Sequence, residues 1–101
     1  MQQWSLSLGN TFDIFFLECQ SRRLTESTLT FYQSRLRRFI AWCSAQDIHN
    51  FHQLTALHIR LYLLSLQERE LSSYSQHAAA RAIKTFLNFC VDEGLLAESA
   101  L

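Results

Sequence analysis

The amino-acid sequence predicts an all-α fold, a compact bundle of four helices. The 101 residues include no proline and only two glycines, so the turn-forming residues that a β-sandwich or barrel needs are scarce. Hydrophobic residues make up 49% of the chain, enough for one packed core and too many for a disordered chain. In four separate segments the apolar residues recur at three- and four-residue steps, which is the spacing of one buried helix face.

The first two helices are expected at about residues 10–22 and 26–46. In the first, Phe12, Phe15, Phe16 and Cys19 face inward. Thr25 stands just before the second, where its hydroxyl can accept hydrogen bonds from the free amides of the first turn. The inner stripe of this second helix consists of Leu29, Tyr32, Leu36, Phe39, Ile40 and Cys43.

A connector at residues 47–54 follows, and its apolar side chains are expected to hold it against the bundle: Ile48, Phe51 and Leu54. The third helix is expected at about 56–69, capped by Thr55. Its inner stripe is Ile59, Tyr62, Leu63 and Leu66.

The fourth helix is expected at about residues 73–93. Ser72 is its predicted cap, and it ends at Gly94, because glycine readily adopts the left-handed conformation that closes a helix. The residues expected to face the core are Ala78, Ala82, Phe86, Phe89 and Cys90. Short connections make successive helices neighbours.

Charge is distributed unevenly along a chain whose net charge is zero. Five arginines stand between residues 22 and 38, and Glu26 is the one acid in that stretch. On the second helix, a line separate from the inner stripe holds Phe31, Arg35, Arg38 and Trp42. This line is either a solvated helix face or a surface that contacts an anionic partner.

A second polar and basic stripe is predicted on the fourth helix. At helical spacing it holds Ser73, His77, Arg81, Lys84 and Asn88, with no acid among them. Ser75 and Gln76 lie near the amino end of the same helix, where exposed amides favour anions.

Several classes of function are not supported by the sequence. Three widely spaced cysteines fit reduced core thiols of a cytoplasmic protein better than disulfides or a zinc site. The four histidines lack metal-ligand spacing, and no nucleophile–histidine pattern or glycine-rich phosphate loop is present. No apolar run reaches membrane-spanning length. We therefore expect no cofactor, no metal and no membrane partner.

The order and spacing of three motifs resemble the N-terminal core-binding domain of tyrosine recombinases, the phage integrase family. The second helix contributes Thr25-x-x-Thr28-Leu29-x-x-Tyr32-x-x-x-Leu36-x-x-Phe39-x-x-Trp42. The third contributes Leu54-Thr55 and Ile59-x-x-Tyr62-Leu63-x-x-Leu66. The fourth contributes Leu71-Ser72, Arg81-x-x-x-x-Phe86-Leu87-x-Phe89 and Glu93-Gly94-Leu95-Leu96.

The resemblance implies a SAM-like four-helix domain that forms half of a clamp around duplex DNA, with the second and fourth helices at the major groove. It implies that residues 1–101 are one core-binding domain, that the catalytic domain is absent from this chain, and that the chain alone is not an enzyme. The implied partners are duplex DNA and, on DNA, other recombinase protomers; the isolated domain is expected to be monomeric. The expected DNA-binding residues are Thr28, Arg35, Arg38, Ser73, Gln76, His77, Arg81 and Lys84.

An alternative is a non-catalytic helical module for protein interaction or oligomerisation that uses Phe31 and Trp42. These two aromatic side chains could belong to the core, to a partner surface or to a DNA contact. For Trp42 we expect the first helix, or the segment around Trp4, to cover the ring.

Overall fold

A computed structural model of the chain describes residues 7–51, 53–69 and 72–94. Within these ranges it has four helices, α1 (Leu8–Ser21), α2 (Glu26–Ala45), α3 (Ala56–Glu68) and α4 (Ser73–Asp92). The predicted all-α bundle of four helices is confirmed. α1 begins two residues earlier than predicted, and each helix ends one residue earlier.

Each helix begins at a hydroxyl cap. The predicted caps Thr25, Thr55 and Ser72 are confirmed, since each side chain accepts a hydrogen bond from the backbone amide three residues later. Ser7 does the same for Asn10, which explains why α1 begins at Leu8. In α3 the bond is reciprocal, because the Thr55 amide donates to Nδ1 of His58 at 3.1 Å.

α4 packs against all three other helices. Its small residues Ala78, Ala79 and Ala82 are buried and permit close approach, while Ile83, Phe86, Leu87 and Cys90 fill the core behind them. α1 meets α4 through Phe15 and Phe86, whose ring centroids are 5.5 Å apart. Phe16 and Phe89, both predicted to face the core, are only partly buried and pack at its edge.

The connector between α2 and α3 is held to the bundle as predicted, since Ile48, Phe51 and Leu54 are all buried. Hydrogen bonds add to this attachment: the Leu8 amide donates to the His49 carbonyl at 2.9 Å. Gly94 follows α4 with a φ of 73°, the left-handed conformation expected of it.

The three cysteines are free and buried, as predicted. Burial raises the pKa of Cys43 and of Cys90 from 9.0 to about 12. Both thiols therefore stay protonated in the folded chain at pH values where an unfolded chain would ionise them.

We predict that the free energy of unfolding falls as the pH rises above about 9, because the unfolded chain releases these two protons first. The loss is about 1.4 kcal/mol per thiol for each pH unit between 9 and 12. Urea denaturation at pH 8 and pH 10 measures it. A double variant, Cys43→Ala with Cys90→Ala, should lose most of this dependence; an unchanged dependence would contradict the assignment.

We also predict that His58→Ala lowers the free energy of unfolding by about 1 kcal/mol, because the α3 capping box loses one of its two bonds. His58→Gln should restore most of the loss, since its side-chain oxygen can accept the same amide. Thermal denaturation at neutral pH compares the two variants. Equal stability of the two would show that the reciprocal bond contributes nothing.

Candidate nucleic-acid interface

The outer face of α2 presents the predicted line of Phe31, Arg35 and Arg38, but its aromatic ring is not free. Phe31 is partly buried and meets Tyr32 edge-on, with ring centroids 5.3 Å apart. Tyr32 in turn meets Phe15 of α1 at 5.4 Å. Phe31 is therefore an extension of the core that reaches the surface between α2 and α4.

Two arginines from different helices lie against this one ring. The guanidinium carbon of Arg35 is 4.3 Å from the Phe31 centroid, and that of Arg81 on α4 is 5.5 Å from it. Each contact attracts a cation to the ring face. Two like charges held together repel each other, so the arrangement favours an anion that binds both.

A hollow of about 180 Å³ lies beside Arg35, where α2, α3 and α4 meet. Its lining combines polar and apolar groups in similar measure: Ser34, Arg35, Arg38, Tyr62, Leu66, Ser75 and Ala79. Arg35 donates a long hydrogen bond of 3.4 Å to the Ser34 hydroxyl. Burial raises the pKa of Tyr62, while the charges of Arg38 and Arg69 act in the opposite direction. The Tyr62 side chain therefore lies within the electrostatic field of those two arginines.

Ser75 brings the amino end of α4 to the same hollow. Its hydroxyl accepts from the Ser72 hydroxyl at 3.2 Å. The partial positive charge of a helix amino end adds to that of the arginines. Ser34 and Tyr62 were missed from sequence, because Ser34 stands outside the arginine line and Tyr62 belongs to the apolar stripe of α3.

The other predicted interface residues are distributed along the same two helices. Thr28 is partly buried in the first turn of α2, and its hydroxyl accepts from that of Thr25 at 2.9 Å. Ser73, His77 and Lys84 are exposed on α4, and Gln76 is partly buried. The structure thus brings Arg35, Arg38, Arg81 and the amino end of α4 together. Among the described residues, His77 and Lys84 make no hydrogen bond, ion pair or ring contact with this group.

Trp42 is partly buried and packs on Tyr62 of α3, with ring centroids 5.5 Å apart. That the first helix or the segment around Trp4 also covers the ring stays a prediction. Tyr62 also packs on Phe39 of α2, with ring centroids 5.1 Å apart, so the apolar stripe of α3 faces α2. Trp4 lies outside the described residues.

The carboxyl end of α4 has the opposite charge. Beyond Asn88, a groove between α1 and α4 is bordered by Glu18, Asp92 and Glu93, with Phe89 in its wall. We call this the acidic groove. Arg22 neutralises part of it through an ion pair with Glu18 at 2.6 Å. The basic surface is therefore confined to the amino-terminal part of α4 and the middle of α2.

Two other kinds of feature, a metal site and a membrane-spanning helix, are absent from the described part of the chain. No group of three or more histidine, cysteine, aspartate or glutamate side chains there could hold a metal ion. None of the four described helices combines the length and the hydropathy needed to cross a bilayer.

Comparisons with known proteins identify one family. Residues 12–95 match the family model for the phage integrase N-terminal SAM-like domain. The tyrosine recombinase XerC of Haemophilus influenzae is 32% identical over 75 residues, which are 74% of this chain and 25% of that protein. XerC of Listeria monocytogenes is 27% identical over 78 residues, 77% of this chain and 26% of that protein.

A solved structure has the same fold. The crystal structure of the N-terminal domain of a phage integrase/site-specific recombinase from Haloarcula marismortui superposes with a TM-score of 0.83 at 18% identity. The match covers 91% of this chain and 88% of that domain. By contrast, the chain spans about a quarter of the length of the curated XerC relatives.

The Phe31 arrangement predicts a measurable coupling between the ring and Arg35. In a double-mutant cycle with Phe31→Leu and Arg35→Ala, we expect an interaction energy of about 0.5–1 kcal/mol. Urea denaturation of the four proteins measures it. The matched control replaces Phe16, which is also partly buried but packs on Phe12, and should show no coupling to Arg35. Equal coupling energies in both cycles would contradict the contact.

Proposed function

Because the chain belongs to the family of phage integrase N-terminal SAM-like domains, we propose that it binds duplex DNA as the core-binding module of a tyrosine recombinase. In this proposal it forms one side of a clamp on the recombination site. The strand-cleaving chemistry is assigned to other parts of a longer recombinase, and the chain by itself is not an enzyme.

The observation that carries the proposal is the convergence of Arg35 and Arg38 from α2 with Arg81 and Ser75 from α4. Three guanidinium groups and a helix amino end on one face suit a polyanion. An arginine can donate two parallel hydrogen bonds to one phosphate, which fixes its orientation as well as its charge. We assign most contacts to DNA phosphates and few to base edges.

Phe31 supports this role without contacting DNA itself. Long arginine side chains lose rotamer freedom when they bind, and that loss weakens binding. The Phe31 ring, held by Tyr32 and Phe15, restrains Arg35 and Arg81 before DNA arrives. The proposed consequence is a partly preorganised pair of phosphate ligands.

The remaining predicted residues extend the proposed interface along α4. Ser73 and Gln76 lie in its first turn, where the amides favour a phosphate. His77 and Lys84 lie one turn to either side of Arg81. Thr28 extends it on α2, although its hydroxyl already binds Thr25. The acidic groove limits the interface, because carboxylates repel the DNA backbone.

A protein-interaction surface built on Phe31 and Trp42 has less support. Trp42 packs against Tyr62, and Phe31 is covered by two arginines, so neither ring offers a free apolar face. Affinity for protein partners at this site would require those contacts to be broken.

We predict that the chain binds duplex DNA weakly, with a dissociation constant of roughly 10⁻⁴–10⁻⁶ M at physiological salt. The logarithm of the binding constant should fall by about 0.9 per contacted phosphate for each tenfold rise in salt. In the double variant Arg35→Ala with Arg38→Ala, the slope of the log binding constant against log salt concentration should become shallower by about two, because two phosphate contacts are lost. Fluorescence anisotropy with a labelled duplex measures both quantities.

The matched control is Arg60→Ala, which removes an exposed arginine from α3 and should leave both quantities unchanged. Amide shifts on DNA addition should map to residues 28–42 and 73–84. If neither region responds at low salt, or if Arg60→Ala weakens binding as much as the paired variant, the proposed interface is wrong.

A further inference from the structure

The Tyr62 side chain is buried, yet its hydroxyl group has no hydrogen-bond partner among the described residues. The residue is only 3% exposed, and its ring packs on Phe39 and Trp42. Every fully buried side-chain nitrogen or oxygen in the described part of the chain does have a partner. The hydroxyl therefore keeps contact with solvent, and the hollow of about 180 Å³ where α2, α3 and α4 meet is the cavity that Tyr62 lines. We call this cavity the three-helix hollow.

Three more side chains bring hydrogen-bond donors to the three-helix hollow. The Ser75 hydroxyl accepts a hydrogen bond from Ser72 at 3.2 Å, which leaves its own hydrogen for another acceptor. Arg35 donates to the Ser34 hydroxyl at 3.4 Å, and its guanidinium group has further N–H donors. Neither Arg35 nor Arg38 forms an ion pair with a described carboxylate. The hollow therefore has an excess of donors and of positive charge, and no Asp or Glu lines it.

These groups define the chemistry of a ligand. Burial raises the pKa of Tyr62, although the charges of Arg38 and Arg69 act against it, so the phenol stays protonated at neutral pH and can donate. Two guanidinium groups and two hydroxyl donors from three helices suit an anion that accepts hydrogen bonds on several sides. A tetrahedral oxyanion such as phosphate does so, since its oxygens point in four directions. The hollow has room for it, because its volume is about six times the roughly 30 Å³ that one water molecule occupies.

We propose that the three-helix hollow binds one free tetrahedral oxyanion, with inorganic phosphate as its simplest form. Arg35 and Arg38 pair with its charge, and the Tyr62 and Ser75 hydroxyls each donate a hydrogen bond to one of its oxygens. The partial positive charge at the amino end of α4 adds to the attraction. The site lies wholly within one chain and does not require DNA.

Tyr62 distinguishes this site from the proposed DNA interface, because it lies on α3 while the expected DNA-binding residues all lie on α2 and α4. Arg35 and Arg38 are common to both. Free phosphate in the hollow therefore occupies two arginines that the DNA backbone also needs. It should compete with DNA by more than its effect on ionic strength. This consequence rests on the proposed function, whereas the oxyanion site itself does not.

The first experiment uses no DNA. The isotope-labelled chain is titrated with sodium phosphate at neutral pH, and a parallel titration with sodium chloride reaches the same ionic strength. We expect saturable amide shifts at Ser34, Tyr62 and Ser75 with phosphate only, and half-saturation at a concentration on the order of 1 mM.

Two variants test the donors. Tyr62→Phe keeps the ring that packs on Phe39 and Trp42 but removes the hydroxyl, and Ser75→Ala removes the second hydroxyl. Each should raise the half-saturating phosphate concentration at least about fivefold, since each loses a hydrogen bond to a charged acceptor. The matched control is Tyr32→Phe, the same change at a tyrosine that lines the acidic groove, and it should leave the phosphate affinity unchanged. Far-ultraviolet circular dichroism confirms that each variant is folded.

A second experiment identifies the source of the oxyanion. Fluorescence anisotropy with a labelled duplex is measured in phosphate and in chloride at equal ionic strength. If a backbone phosphate of DNA also enters the hollow, Tyr62→Phe weakens phosphate binding and DNA binding together. If only the free ion enters, Tyr62→Phe weakens phosphate binding alone and removes the competition between phosphate and DNA. Both results support the site.

Two outcomes would overturn the proposal. The phosphate shifts could fail to saturate, or chloride could reproduce them. Tyr62→Phe and Ser75→Ala could both retain the phosphate affinity of the wild-type chain. DNA binding in either case would leave the proposed function standing, whereas phosphate binding by a chain that binds no DNA would refute the proposed function alone.

Discussion

The burial of α4 among the other three helices is the constraint on which the rest of this structure depends. Small residues on one side of α4 permit close approach, and large ones behind them fill the core. Only one narrow face remains for solvent, and it carries Arg81 and Lys84. Because α2 packs against α4, the arginines of α2 lie at the edge of that exposed face. The position of the basic surface therefore follows from how the core is packed.

The zero net charge conceals a strongly polar molecule. Positive charge collects where α2 meets the amino-terminal part of α4, and negative charge collects where α1 and α4 end. At each end of α4 the helix dipole has the same sign as most of the charged side chains beside it, Arg22 in the acidic groove being the exception. A molecule with such separated charge is oriented by the electric field of a polyanion, even though its net charge is zero. Net charge alone therefore does not reveal this separation of positive and negative charge.

Much of the fold could be predicted from the sequence, and less of the candidate site. Helix number and bounds follow from apolar spacing and from Thr25, Thr55 and Ser72, which act through local hydrogen bonds. The arginine line was also visible, since helical spacing fixes which residues share a face. The contact of both Arg35 and Arg81 with the Phe31 ring could not be predicted, because it depends on the relative rotation of two packed helices. The contact of Trp42 with Tyr62 was not predicted, for the same reason.

The position of α4 in the chain has a consequence for synthesis. The helix that packs against every other described helix is also the last of the four to leave the ribosome. Until it emerges, α1, α2 and α3 can pack only in part, and apolar residues that contact α4 remain exposed, among them Phe15 and Phe51, which pack on Phe86. Completion of the fold is therefore delayed until after translation reaches residue 94, and the nascent chain is a candidate client for chaperones during that interval.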